Sequence, residues 1–272
     1  MTTAEYQCFK IFLEQTCGIL LGEGKQYLID SRLTRLLRIE KIASISALLA
    51  LIEQPSQRHL REAVINAMTT NETSWFRDQG PFTLLKQTIF PELEKQNKIG
   101  FRVWSAGCSS GQEPYTISIT LNEYLASMPQ SKLRQTQILA SDISSSMIEQ
   151  AKSGQYDDYA LERGLTDDHR QHYFSAVSNT WVIREDIKGR VSFMEQNLLS
   201  SYNGLGKFDI IFCRNVLIYF SQQRKTDILQ RLSAALNPGG YLFLGASETT
   251  MGYSDKFEMV RNPSGVSFKL KS

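Results

Sequence analysis

The chain has 272 residues, 42% of them apolar, enough to bury one large core and a smaller second domain, which excludes a short peptide or a disordered tail. Lys and Arg total 30 against 28 Asp and Glu, and a formal charge of +2 lacks the broad basic excess of a general nucleic-acid binder, so recognition by charge has to be local. The four cysteines, Cys8, Cys17, Cys108 and Cys213, form no CxxC pair and sit beside apolar residues, which predicts reduced thiols in a cytosolic chain rather than a zinc knuckle or disulfide framework.

Residues 1–72 read as helical throughout, with apolar residues at helical spacing at Phe9, Phe12 and Leu13 and again at Leu28, Leu33, Leu36 and Leu37. Gly22 and Gly24 separate the first helix from the second, Pro55 the third from the fourth, and Thr69-Thr70-Asn71 ends the series with weak helix formers. An apolar patch at 17–21 is too short for export and follows Glu5 and Glu14 without a basic lead, and no run approaches the ~20 apolar residues of a membrane span. Within 25–41, Arg32, Arg35 and Arg38 recur every three residues along one drifting stripe, and together with Lys25 and Lys41 they outweigh Asp30 and Glu40 five to two. Taken alone, such a stripe is a solvated helix face.

From residue 101 short apolar runs alternate with helical segments, at 101–104, 138–140, 191–193, 208–213 and 241–244, which predicts a parallel sheet covered by helices. Two further runs, 257–260 and 266–270, are joined by Asn262-Pro263-Ser264-Gly265, a hairpin-like link. An antiparallel pair closing a parallel sheet fits a class I methyltransferase better than a dinucleotide dehydrogenase. Between 156 and 190 the pattern weakens. A Thr-Asp-Asp helix start at Thr166 and the short runs Tyr173-Phe174 and Trp181-Val182-Ile183 suggest a small antiparallel insertion.

The chemistry-bearing residues stand at strand ends. The first strand runs into Ser105-Ala106-Gly107-Cys108-Ser109-Ser110-Gly111-Gln112-Glu113-Pro114-Tyr115, where Gly107 and Gly111 would let main chain approach a ligand and a helix start offers N–H groups. It does not spell GxGxxG. The second strand ends at Asp142, placed either to hold ribose hydroxyls or to cap the next helix. Asn197 after the third strand could read an adenine edge or cap a turn, and Arg214 and Asn215 follow the fourth. His59, His169 and His172 are too few and too badly spaced for a metal site or a triad and read as surface residues.

These pieces, in order, resemble the chemotaxis receptor glutamate O-methyltransferases, the CheR type. The resemblance spans nearly the whole chain and rests on Thr69-Thr70-Asn71-Glu72-Thr73-Ser74-Trp75-Phe76-Arg77, the loop from Val103 to Tyr115, Ala140-Ser141-Asp142-Ile143, Asn197-Leu198-Leu199, and Phe212-Cys213-Arg214-Asn215-Val216-Leu217-Ile218-Tyr219-Phe220. It implies an α/β fold: a class I, Rossmann-like methyltransferase domain at 73–272, with an antiparallel C-terminal hairpin and a small β insertion at about 156–190, behind an all-α receptor-docking domain at 1–72. It also implies that S-adenosylmethionine (SAM), with S-adenosylhomocysteine (SAH) as product and no metal, is held by Asn71, Thr73, Arg77, Glu113, Asp142, Asn197, Leu198, Arg214 and Asn215. Arg77 and Tyr219 would stand close to the reacting centre as catalytic residues, and Arg32, Arg35 and Arg38 would dock on the acidic cytoplasmic helices of membrane chemoreceptors. Opposite charges such as Arg77 and Glu113 suit the carboxylate and ammonium of SAM's methionine end. An alternative for Arg77 is a surface ion pair with Asp78.

A nucleic-acid methyltransferase fits less well, because the fourth strand ends in Cys213-Arg214-Asn215-Val216 without an Asn-Pro-Pro-Tyr type motif. A non-catalytic SAM-sensing scaffold docked on receptors is the other alternative, against which the presence of both Arg77 and Tyr219 counts. Only Ser175-Ala176-Val177-Ser178-Asn179-Thr180 separates the two short runs of the insertion, without the glycine-rich extension of family members that capture a receptor's C-terminal pentapeptide. The expectation is a cytoplasmic enzyme, recruited to receptor arrays without peptide tethering.

Overall fold

The computed structural model describes residues 1–271. Its first four helices are α1 (Thr3–Cys17), α2 (Gln26–Ile39), α3 (Ile45–Ile52) and α4 (Arg58–Met68). Thr2 and Glu5 close a capping box at α1 and Ser44 caps α3, giving side-chain acceptors to N–H groups that lack an intrahelical partner. Apolar residues three and four apart turn inward. Tyr6, Phe9, Leu13, Ile29, Leu33, Leu48, Ile52, Leu60, Val64 and Met68 make a core of their own.

After a loop, α5 (Gly80–Leu84) runs through a wider turn at Leu85–Ile89 into α6 (Phe90–Lys95). The chain then alternates through β1 (Arg102–Ala106), α7 (Gln112–Ser127), β2 (Gln137–Asp142) and α8 (Ser145–Ser153). β3 (Gln155–Tyr156), α9 (Asp158–Glu162), α10 (Asp167–Tyr173), β4 (Phe174–Val177), β5 (Thr180–Ile183) and α11 (Glu185–Lys188) form the insertion. β6 (Val191–Glu195), β7 (Phe208–Cys213), α12 (Gln222–Ala235), β8 (Leu236–Leu244), β9 (Phe257–Asn262) and β10 (Gly265–Leu270) complete the fold.

Seven strands make one sheet in the order β6-β2-β1-β7-β8-β10-β9. The first five are parallel, and β10 inserts antiparallel between β8 and β9. The closing hairpin therefore reverses one strand, and it is the second of the pair that joins the parallel body. Side chains alternate across the sheet: Val103, Ile210, Phe212 and Phe243 pack with Ile117 and Leu121 of α7, while Trp104, Ile211, Cys213 and Leu242 pack with Leu229 and Leu232 of α12. Helices on both faces explain why every residue of β7 is buried and why it reads as a continuous apolar run broken only by Asp209.

The insertion is a separate three-stranded antiparallel sheet, β3-β5-β4. Its two-residue strand β3 has no signature in the sequence, and Tyr173 closes α10 instead of opening a strand. Trp75, just after the helical domain, packs edge-on against Tyr156 at 5.0 Å and Phe174 at 5.2 Å between ring centroids, which anchors the insertion beside α7. The C-terminal ends of β2, β1 and β7 share one edge of the sheet. Strand order reverses there between β1 and β7, which opens a crevice at that edge.

Candidate cofactor and active site

The loop after β1 is tied to the end of β2, because the N–H groups of Gly107 and Cys108 both donate to the Ser141 carbonyl, at 2.8 and 2.9 Å. Ser109 donates its N–H to Asp142 Oδ2 at 2.8 Å and its hydroxyl to the Asn71 carbonyl at 3.0 Å, and Ser144 donates its N–H to Asp142 Oδ1 at 2.9 Å. Ser144, not Asp142, is the N-cap of α8. Each Asp142 oxygen keeps a lone pair beyond these bonds. Burial pushes the Asp142 carboxyl above the usual range, opposed by the N–H bonds from Ser144 and Ser109. The two loop glycines have a packing task of their own. Both have positive φ, 81° and 95°, but a Cβ at Gly107 would lie 2.5 Å from Val216 Cγ2 and one at Gly111 would lie 3.0 Å from Ala151 Cβ. Their close neighbours are protein, so they let the loop pack against the turn after β7 and against α8.

A buried charge cluster lies beneath this loop. Arg214, its side chain 1% exposed, reaches Glu113 Oε2 at 3.2 Å, Asp78 Oδ2 at 2.6 Å and the Arg77 carbonyl at 2.9 Å. Glu113 also accepts from Ser105 Oγ at 2.7 Å. Burial raises the Glu113 carboxyl while the Arg214 guanidinium holds it down. The Arg77–Asp78 pair does not form: Asp78 turns to Arg214, and Arg77 donates to the Glu72 carbonyl at 3.1 Å. Arg77 is flanked by backbone of positive φ at Phe76, Asp78 and Gln79, with φ of 47°, 65° and 43°. Such conformations persist only where the surroundings hold them. Here the Phe76 ring stacks on His169 at 4.6 Å and meets Phe82 edge-on at 5.8 Å. His169 is accordingly no surface residue: its ring lies under Phe76 with Nε2 2.9 Å from Glu123 Oε1, whereas His59 and His172 are exposed.

Past β7, Asn215 takes φ of 58°, and its Oδ1 is buried without a hydrogen-bond partner among the described residues. A 3-10 turn at Leu217–Tyr219 follows, and the Tyr219 carbonyl accepts the Leu20 N–H of the helical domain at 2.9 Å. Of the two readings open for Asn197, its hydrogen bonds are those of the turn cap. Its Nδ2 donates to the Thr16 carbonyl of α1 at 2.7 Å and its Oδ1 accepts the Leu199 N–H at 2.9 Å, so its amide caps its own turn and tethers α1. The Leu198 side chain is 7% exposed and belongs to the core beneath the sheet.

One cavity of about 480 Å³ gathers these pieces. Asn71, Thr73, Arg77, Glu113, Asp142, Asn197, Leu198, Arg214, Asn215 and Tyr219 all line it. So do Ile19, Leu20, Leu21, Lys25 and Leu28 of the helical domain, which the sequence reading missed. The one available signal was the apolar Ile19-Leu20-Leu21 run lying outside any helical period. Arg32, which the resemblance implies for the docking stripe, also lines the cavity. Its guanidinium donates to the carbonyls of Met68 at 2.6 Å and Thr69 at 3.3 Å and to Thr70 Oγ1 at 2.9 Å. Only Arg35 and Arg38 of the stripe are exposed.

The volume falls in the ~300–1,000 Å³ of small-molecule sites. Asp142 and the unpartnered Asn215 Oδ1 offer acceptors for hydroxyl or ammonium donors, and Arg77, bonded to one carbonyl, has N–H groups left for a carboxylate. This donor and acceptor set fits SAM.

Residues 4–69 match the all-alpha domain of CheR methyltransferases and residues 71–266 match their SAM binding domain. The chain is 48% identical over 269 residues to chemotaxis protein methyltransferase Cher2 of Pseudomonas putida, covering 98% of each. It is likewise 48% identical over 270 residues to chemotaxis protein methyltransferase 1 of Pseudomonas aeruginosa, again over 98% of each. Against the chemotaxis protein methyltransferase of Vibrio parahaemolyticus, the identity is 49% over 268 residues, 98% of this chain and 97% of that one. Two domain matches end to end, on a class I methyltransferase sheet with its strand-end cavity, make this chain a member of the CheR family of SAM-dependent chemotaxis methyltransferases.

Proposed function

We propose that the protein transfers a methyl group from SAM to the side-chain carboxylate of specific glutamates on the cytoplasmic helices of membrane chemoreceptors. The observation that carries this reading is the cavity itself, where every residue the family resemblance implies for SAM meets Arg77 and Tyr219. Asp142 would take the ribose hydroxyls, Arg77 the methionine carboxylate, and Glu113 and Asn215 the donors at that end. Asn71, Thr73 and Arg214 would shape the wall, and Asn197 and Leu198 would act through their turn, since the amide of one is engaged and the side chain of the other is core.

Bound there, SAM supplies a methyl group on a sulfonium. A glutamate of pKa ~4.3 is already an anionic nucleophile at neutral pH, so no general base is required of the protein. Its work is alignment, which can contribute ~7 to 11 kcal/mol. Arg77 and Tyr219 would orient the incoming carboxylate, and the apolar Ile19 to Leu21 segment would exclude water from the cavity. The exposed Arg35 and Arg38 would meet acidic receptor helices. No helix among the described residues is long and apolar enough to cross a membrane. The enzyme would act from the cytoplasm and visit receptor arrays. The short turn between β4 and β5 supports action without pentapeptide tethering.

Incubation with methyl-labelled SAM and chemoreceptor-containing membranes tests the proposal. Label should enter the receptors and be released by mild base, as from a methyl ester. Base-stable label, or none, would rule the glutamate reading out.

A further inference from the structure

The turn after β8 carries an acidic residue to which no role has yet been given. Glu248 accepts three main-chain N–H groups: Oε2 takes those of Asn215 at 2.7 Å and Gly245 at 2.6 Å, and Oε1 takes that of Ile218 at 3.1 Å. The loops leaving β7 and β8 thus meet on one carboxylate. Among the described residues no Lys, Arg or His lies within ion-pair distance of it, so its charge is directed at main chain alone. The packing is close: a Cβ at Gly245 would lie 2.8 Å from both the Asn215 nitrogen and Glu248 Oε2.

What the carboxylate holds is the wall of the cavity. Asn215 stands in left-handed backbone with Oδ1 unpartnered, and Ile218 belongs to the 3-10 turn that ends at Tyr219. The remaining main-chain bonds of this stretch are few: Tyr219 to Val216 at 3.2 Å, Phe220 to Leu217 at 3.1 Å, and the link from Leu20. A left-handed asparagine is costly unless its neighbours fix it, and three N–H donors converging on one anion provide such a fixing point. We propose that Glu248 is a positioning residue that sets the main chain of 215–218, and thereby aims Asn215 and Tyr219 into the cavity. This rests on the reading of Tyr219 as a residue at the reacting centre.

Glu248→Gln keeps the size of the side chain but turns an amide NH2 toward donors, and Glu248→Asp keeps the charge with a stem too short to reach both loops. With Glu248→Gln, hydrogen exchange of the peptide covering 214–219 should speed by about tenfold while the helical domain is unchanged. At saturating SAM and receptor, kcat should fall by about 10- to 100-fold, the scale of an ångström-sized misplacement, with receptor KM within about threefold. Glu248→Asp should recover part of that loss. In a Tyr219→Phe background the Gln substitution should cost less than about threefold, because the two act as a unit. Unchanged exchange, kcat within about twofold of the parent, or losses that multiply fully in the double variant each overturn the proposal. If Glu248→Gln does not fold, Glu248→Asp decides it by exchange alone: its stem is too short to reach both loops, so exchange over 214–219 should still speed, and unchanged exchange overturns the proposal. A parent enzyme that places no base-labile label on receptors defeats the glutamate reading alone, since the exchange measurement needs no turnover.

Discussion

At the residue scale, the cavity sets two carboxyls under opposing influences. Burial raises Asp142 and Glu113 in the folded protein. Just above the unfolded-chain carboxyl range the folded apoprotein therefore binds more protons than the unfolded chain, and the stability contribution of these groups falls as pH rises through that window. Ligand binding has the opposite sign, because ionised Asp142 is the better acceptor for hydroxyls. Calorimetric affinity for SAH should decline on acidification, beginning at a higher pH than a solvent-exposed aspartate would give, and Asp142→Asn should flatten that step. Removing the acceptor altogether, in Asp142→Ala, forfeits charge-assisted bonds of about 1.5 to 3 kcal/mol and should weaken SAM and SAH together by about 10- to 100-fold. Thiol titration gives an independent check of the same wall. Cys17 lines the cavity with its thiol pushed up to about 11 by burial, Cys108 and Cys213 are buried as well, and Cys8 alone is exposed. A thiol-specific reagent at neutral pH should find one fast cysteine and three slow ones.

At the element scale, α2 divides its arginines between two tasks. Arg32 joins α2 to the carbonyls that end α4, so Arg32→Ala should destabilise the chain by about 1 to 3 kcal/mol, seen in denaturant unfolding. Arg35→Glu with Arg38→Glu should leave SAH affinity within a few-fold while receptor methylation drops, with a defect that varies with ionic strength. Methylation that survives this double reversal would make the pair a solvated face. The strip of three arginines was legible in the sequence, but its division was not, since periodicity reports which residues share a face and not which of them finds a carbonyl thirty-odd residues away. Similar reasoning covers the site. Strand ends, Asp142, Arg214 and Asn215 were readable because parallel strands are bounded by abrupt changes of composition. Asn197's engagement with Thr16, the Phe76–His169 stack and the partner of Asp78 were not, because each joins segments remote in sequence.

At the scale of the whole molecule, the cavity is walled by both domains, so a ligand filling it should act on both. At a hundred times its dissociation constant SAH should add about 2.7 kcal/mol and raise the melting temperature by roughly 5 to 10 °C. Calorimetric scans should show that shift carried by the whole unfolding transition rather than by a shoulder. Asn197→Ala, which removes the bond to α1, should shrink it.

The bond from the Leu20 N–H to the Tyr219 carbonyl has a consequence for how such enzymes diversify. Both partners are main chain, so the alignment of the two domains at the cavity mouth does not depend on which side chains stand at positions 20 and 219. Ile218, about half exposed at that mouth, can therefore drift as substrates change, and Leu20 can vary among apolar side chains that still close the cavity to water, without rebuilding the joint. One kind of change is closed to that drift: a proline at position 20 carries no N–H, and a lineage that accepted it would have to hold its domains together some other way.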